Sequence, residues 1–217
     1  MTNSKQHMIK NALSLKGLEG LTDALFAIVM TLLVLELGVP VFKGTSTQHG
    51  FMQLLEMWPK FACYFVTFLM LGYIWSVHHR VFSVMKCSDS LSVWISIIFL
   101  IFVALLPFST SLLGEYMGQQ LPILIYEGNI FMCILLGYVK WLYATGKYRL
   151  VDTDIDSHEV RRRKIMLLGG MAFVAIAMGV SYLNTIASMG IFLCYIISVI
   201  IYSTLRFRIL TTEQVAK

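Results

Sequence analysis

The chain has 217 residues, 58% of them hydrophobic and 13% charged, with a formal net charge of +5 and a mean hydropathy of +0.75. Soluble domains average about 45–50% apolar and about 25% charged residues, so the composition excludes an ordinary soluble domain and indicates an integral membrane protein. The basic residues collect in the connections between apolar runs, which is a membrane-orientation pattern and gives no reason to expect a nucleic-acid partner.

Residues 1–15 read as a short, polar, basic cytosolic leader with Lys5 and Lys10. They lack the form of a cleavable signal peptide. The first membrane helix is expected over residues 18–39, LEGLTDALFAIVMTLLVLELGV, and stops at Pro40. A polar connection with Lys43 follows. The second helix is expected over residues 57–79, with Pro59 tolerated at its start. The third covers 92–113, with Pro107 kinking it. The fourth covers 121–145 and carries Lys140 and Trp141 near one end. The fifth and sixth cover 165–182 and 186–205, each close to the roughly 20 residues that span hydrocarbon. They form a tight hairpin.

Six spans place four basic segments on one side: the leader, the connection with Arg80 and Lys86, the connection with Lys147, Arg149 and Arg161 to Lys164, and the tail with Arg206 and Arg208. The positive-inside rule then puts both termini in the cytosol. No inverted repeat is apparent. Residues 1–217 read as a single six-helix transmembrane domain in an all-α fold.

Asp23 is an acid near the start of the first helix, and two readings stand side by side. It is an interfacial acid favoured by the helix dipole, or a buried acid holding this helix to its neighbours. On the same helix, Ile28, Leu32 and Leu35 make an apolar stripe spaced i, i+4, i+7, with Thr31 on its flank. By periodicity alone the stripe is ordinary packing, and Thr31 is a residue that bonds back to its own helix. At about 100° per residue, Asp23 lies roughly 140° around the helix from Ile28, so the two face different ways. Glu36 marks the far end of the helix.

Tyr73, Trp75, His78, His79 and Arg80 end the second helix as a polar, aromatic cluster. Either histidine is a candidate partner for Asp23. Adjacent histidines make a poor metal pair, and no other metal or cofactor site is expected. The cysteines Cys63, Cys87, Cys133 and Cys194 form no CxxC, and no disulfide is expected. Asp152, Asp154 and Asp156 resemble the start of a calcium loop, but Ser157 replaces the glycine and Arg163 the glutamate that the loop needs. No nucleophile–base or Gly-rich phosphate motif appears, so an enzyme is not expected.

LEGLTDALFAIVMTLLVLEL resembles the first helix of prokaryotic members of the transmembrane protein 175 family, relatives of the endolysosomal potassium channel. That helix carries an Arg-x-x-x-Phe-Ser-Asp motif. Here Leu21, Thr22 and Asp23 stand in the last three places, and Gly17 stands where the family has arginine. The resemblance continues in WPKFACYFVTF, YIWSVHHRVF and LLPFSTSLLGEY; the second half of the chain matches only in spacing and hydrophobicity.

The resemblance implies a homotetramer in the lipid bilayer, with a central pore lined by the first helix and potassium as the permeant ion. No carbonyl selectivity filter of the TVGYG type is present. Carried over, Ile28 is the constriction, Leu32 and Leu35 continue it, and Thr31 contributes to selectivity. Thr22, Asp23, Trp75 and His78 or His79 form a motif that locks the helix, and Glu36 belongs to an outer vestibule. A prokaryotic source would place the protein in the cytoplasmic (inner) membrane. The other readings are a proton-coupled secondary transporter using Asp23 or a histidine and a non-conducting membrane scaffold.

Overall fold

The computed structural model describes residues 2–40, 47–152 and 154–215, with side chains over 15–40, 47–48, 50–152 and 154–203. Lys43, and the side chains of Lys5, Lys10, Arg206 and Arg208, lie outside the described residues. The described chain is helical: α1 (Thr2–Leu35), α2 (Thr47–Glu56), α3 (Trp58–Val84), α4 (Ser90–Ala104), α5 (Leu106–Glu115), α6 (Gln120–Thr145), a 3-10 turn (Gly146–Tyr148), α7 (Ser157–Ser181) and α8 (Thr185–Val215). Six helices are long and apolar enough to cross a membrane, with α4 and α5 together forming the third.

The helix ends follow from local chemistry. Pro59 sits in the first turn of α3, where its missing N–H costs nothing. The Asp89 carboxylate accepts from the Ser92 N–H at 2.9 Å and so caps α4. Its other oxygen accepts from the Tyr143 hydroxyl of α6. The third span breaks at Leu105, two residues before Pro107, because a proline ring crowds the carbonyl one turn earlier and offers no N–H. Asp156 caps α7 by accepting from the His158 N–H at 2.9 Å. Asp152 pairs with Lys86, beside an antiparallel bridge between Met85 and Val151. The acidic stretch therefore ties two connections together at one end of the bundle.

At the other end Lys60 pairs with Glu115. This brings the start of α3 beside the end of α5, as the alternating topology requires. Gly114 permits the approach: a Cβ there would lie 3.2 Å from the Lys60 Cα. Helix α2 is a short segment whose first residues, 47–50, fall in the polar connection that the sequence predicts. Phe51, Met52, Leu54 and Leu55 on it are all exposed.

α6 is the hub and packs against α4, α5, α7 and α8. Lipid is as apolar as a leucine side chain, so packing and hydrogen bonds hold membrane helices together. The core here shows both. Phe26, Phe99, Val103, Ile130 and Trp141 are buried. Among them run polar links: Thr67 Oγ1 lies 2.9 Å from the Tyr126 hydroxyl and accepts from Thr110 at 3.1 Å. Asn129 donates to Ser109 at 3.2 Å. Ser188 Oγ lies 2.8 Å from both Glu127 Oε1 and the Ala177 carbonyl, joining α8 to α6 and α7.

Candidate ion pathway and its anchoring

Helix α1 has two unlike faces. Leu18, Thr22, Phe26, Val29 and Leu33 are buried, and they recur every three to four residues, as one helical face must. They seat α1 on α3, α4 and α5. Phe26 meets Phe99 of α4 with ring centroids 6.2 Å apart.

The other face carries the stripe. Ile28 is 56% exposed, Leu32 43% and Leu35 71%, and Thr31 is exposed beside them. From Ile28 to Leu35 the stripe runs about 10 Å along the axis. Within the chain the stripe stays largely open. Thr31 donates its hydroxyl hydrogen to the Ile28 carbonyl at 2.7 Å. The oxygen keeps its lone pairs and has no hydrogen left to offer, so on the exposed face it is an acceptor only.

Asp23 faces α3. The indole N–H of Trp75 donates to Asp23 Oδ1 at 2.8 Å. Trp75 stacks on His79, one turn later, with centroids 5.3 Å apart and planes 24° apart. His79 Nδ1 in turn lies 3.6 Å from Glu19 Oε1. Two residues one turn apart on α1, Glu19 and Asp23, thus meet two residues one turn apart on α3. Glu19 was missed in the sequence reading. Its signal was the i, i+4 spacing to Asp23, matching that of Trp75 and His79.

Neither histidine offered as a partner bonds Asp23 among the described residues: His79 stacks on Trp75, and His78 takes no part. One residue is about 100° of rotation, and His78 turns into the core. It lies flat on Phe99, centroids 4.3 Å apart at 4°, and edge-on to Phe82. Its Nε2 lies 3.5 Å from Lys140 Nζ, and that nitrogen sits 3.6 Å from the centre of the Phe82 ring. Thr22 is buried, and its hydroxyl donates back to the Leu18 carbonyl at 2.8 Å. It contributes packing, with no hydrogen bond to another helix among the described residues.

Glu36 stands one residue past α1 and is exposed. It borders a small cavity with Lys60, Tyr64 and Thr110. The chain turns away at Gly38, whose φ of 64° a side chain would resist.

Residues 17–107 match the family model of the endosomal/lysosomal potassium channel TMEM175. A potassium channel of Chamaesiphon minutus is 31% identical over 193 residues, covering 87% of this chain and 93% of that protein. A potassium channel of Streptomyces collinus is 28% identical over 185 residues, covering 82% and 88%. Among solved structures, the lysosomal potassium-selective channel TMEM175 homologue from Chamaesiphon minutus superposes with a TM-score of 0.76. It has 26% identity and covers 89% of this chain and 97% of that one. The length, the six apolar helices and these matches agree, and the chain belongs to the TMEM175 family of ion channels.

Proposed function

We propose that the chain is a single-domain subunit of a homotetrameric, potassium-selective channel, and that four copies of α1 line its pore. The observation that carries this reading is the bare apolar face of α1 on a helix otherwise fixed in place. Its opposite face is buried in the subunit, and Asp23 is tied to Trp75. A closed ring of subunits covers such a face, and it does so around an axis.

In this arrangement four Ile28 side chains meet at the axis. A narrow apolar ring excludes water, and an ion deprived of its hydration shell does not pass. The barrier falls when the first helices rotate or separate enough to wet the ring. Leu32 and Leu35 extend the constriction. Thr31 lies next to it and presents acceptor oxygens that partly replace the hydration lost by potassium. Glu36 faces the outer vestibule, where its charge raises local cation concentration. Asp23, Trp75, His79 and Glu19 hold each α1 to its own subunit, so the pore width is set by how subunits move.

In this reading both termini are cytosolic, which the basic residues at that side of the spans support, and for a prokaryotic source the membrane is the cytoplasmic one. The test is Ile28→Asn in a planar bilayer. A polar side chain at the constriction wets it, so the basal current rises above wild type. An unchanged current removes Ile28 from the constriction. Saturable flux driven by a pH gradient, without unitary steps, would favour a proton-coupled carrier instead.

A further inference from the structure

We propose that the basic groove between α3, α7 and α8 binds the headgroup of an anionic phospholipid. The groove is built by helical spacing. On α7, His158, Arg161, Arg162, Ile165 and Met166 recur three to four residues apart and share one face. On α3, Tyr73, Val77 and Arg80 are spaced i, i+4, i+7. Tyr202 of α8 stands between these faces and borders both parts of the groove.

The outer part is a shallow, open depression lined by His158, Arg161 and Arg162. A narrow cleft continues inward from it, sharing Arg162 and Tyr202 and adding Arg80 and Arg163. Four arginines therefore border the two parts, and no carboxylate lines either. Arg163 is turned toward Glu159, 3.7 Å away, and toward the Trp141 ring. Arg80 donates to Ser76 at 3.2 Å. Arg161 and Arg162 are exposed, and no hydrogen bond or ion pair engages either among the described residues. Two neighbouring exposed guanidiniums repel each other unless an anion joins them, and the planar guanidinium fork fits phosphate oxygens in pairs.

The groove also has an apolar end, which separates a lipid from free phosphate. Below the arginines the same side of α7 continues through Ile165, Leu168, Phe173 and Ile176, and α8 adds Ile201. All are exposed. A headgroup phosphate on Arg161 and Arg162 would lay its acyl chains along these residues. Arg161 and Arg162 lie in the second turn of α7, at the end of the span where the chain's basic residues collect, which is headgroup depth. Basic pockets between membrane helices on that side suit anionic lipid headgroups.

The test uses purified full-length protein in neutral detergent and reads its melting temperature. Phosphatidylglycerol, phosphatidylcholine or inorganic phosphate is added to wild type, to Arg161→Gln/Arg162→Gln, and to a control, Lys147→Gln/Lys164→Gln, whose residues do not line the groove. Phosphatidylglycerol should raise the midpoint of wild type and control by about 5 °C when near a hundredfold above its Kd. The arginine variant should lose most of that shift. Phosphatidylcholine and inorganic phosphate should do little.

Equal shifts from the two lipids would overturn the proposal, as would a full response in the arginine variant or an equal loss in the control. A shift reproduced by inorganic phosphate would make the groove a soluble-anion site and also overturn it. Native mass spectrometry of wild type in a mixture of the two lipids reads the site without any variant. It should retain phosphatidylglycerol in preference, and equal retention would refute the assignment. None of these readouts involves conduction, so they stand or fall apart from the channel reading.

Discussion

Trp75 donates its indole N–H to the Asp23 carboxylate across 2.8 Å, and that bond sits on the face of α1 opposite the one left bare. The helix is therefore held from behind. In the proposed tetramer, stiff attachment to its own subunit would leave Ile28 and its neighbours free to meet other copies.

Trp75→Phe keeps the ring that stacks on His79 and removes the bond to Asp23. A hydrogen bond to a charged group is worth about 1.5–3 kcal/mol when shielded. Trp75 is 38% exposed, so solvent competes, and the expected loss is about 1 kcal/mol. A double-mutant cycle with Asp23→Asn, read by thermal unfolding in detergent, should show that the two changes are not additive. Additive effects would mean that the bond does not hold α1.

The two adjacent histidines should behave differently. His78 is buried and flat on Phe99, so His78→Ala leaves a void and costs about 3 kcal/mol. His79 lies at the surface beside Trp75, and His79→Ala should cost less than about 1 kcal/mol. Equal losses in a melting experiment would contradict the separation of their roles.

Ser188→Ala should weaken the attachment of α8. The Ser188 hydroxyl donates to one oxygen of the buried Glu127 carboxyl, and the other oxygen has no hydrogen-bond partner among the described residues. An orphaned buried polar group costs about 1–3 kcal/mol. Proteolysis or hydrogen exchange should find α8 opening more readily while α1 keeps its protection. Unchanged exchange in α8 would show that packing alone holds it.

Thr31→Val removes an acceptor oxygen while keeping volume. Reversal potentials between potassium and sodium should move toward zero in Thr31→Val and stay near wild type in Thr31→Ser. An unmoved reversal potential in Thr31→Val would take Thr31 out of the selectivity step.

The six spans were legible because each is a long apolar run, and length against bilayer thickness decides that question. The break before Pro107 was legible for a similarly local reason. Helix α2 was not: its ten residues are too few for a span, and they include Gly50 and His49 inside a polar stretch. The pairing of Asp23 with α3 was expected through a histidine and instead runs through Trp75, since choosing the partner needs the neighbours that only packing supplies. The same holds for Lys140, which reads as a charge near a helix end and in fact sits among His78 and Phe82. Glu127 was overlooked although it carries the signal that singled out Asp23, a lone acid inside an apolar run. The stripe on α1 was visible as a pattern, but its exposure was not, because every residue around it is apolar too.

The most direct measurement is a current recording from purified protein in a planar bilayer, with potassium on one side and sodium on the other, on wild type and Ile28→Asn. The account predicts discrete unitary currents reversing toward the potassium equilibrium potential, and a larger basal current from Ile28→Asn. Silence from wild type shown to be folded and inserted, or identical currents from the two proteins, would contradict it.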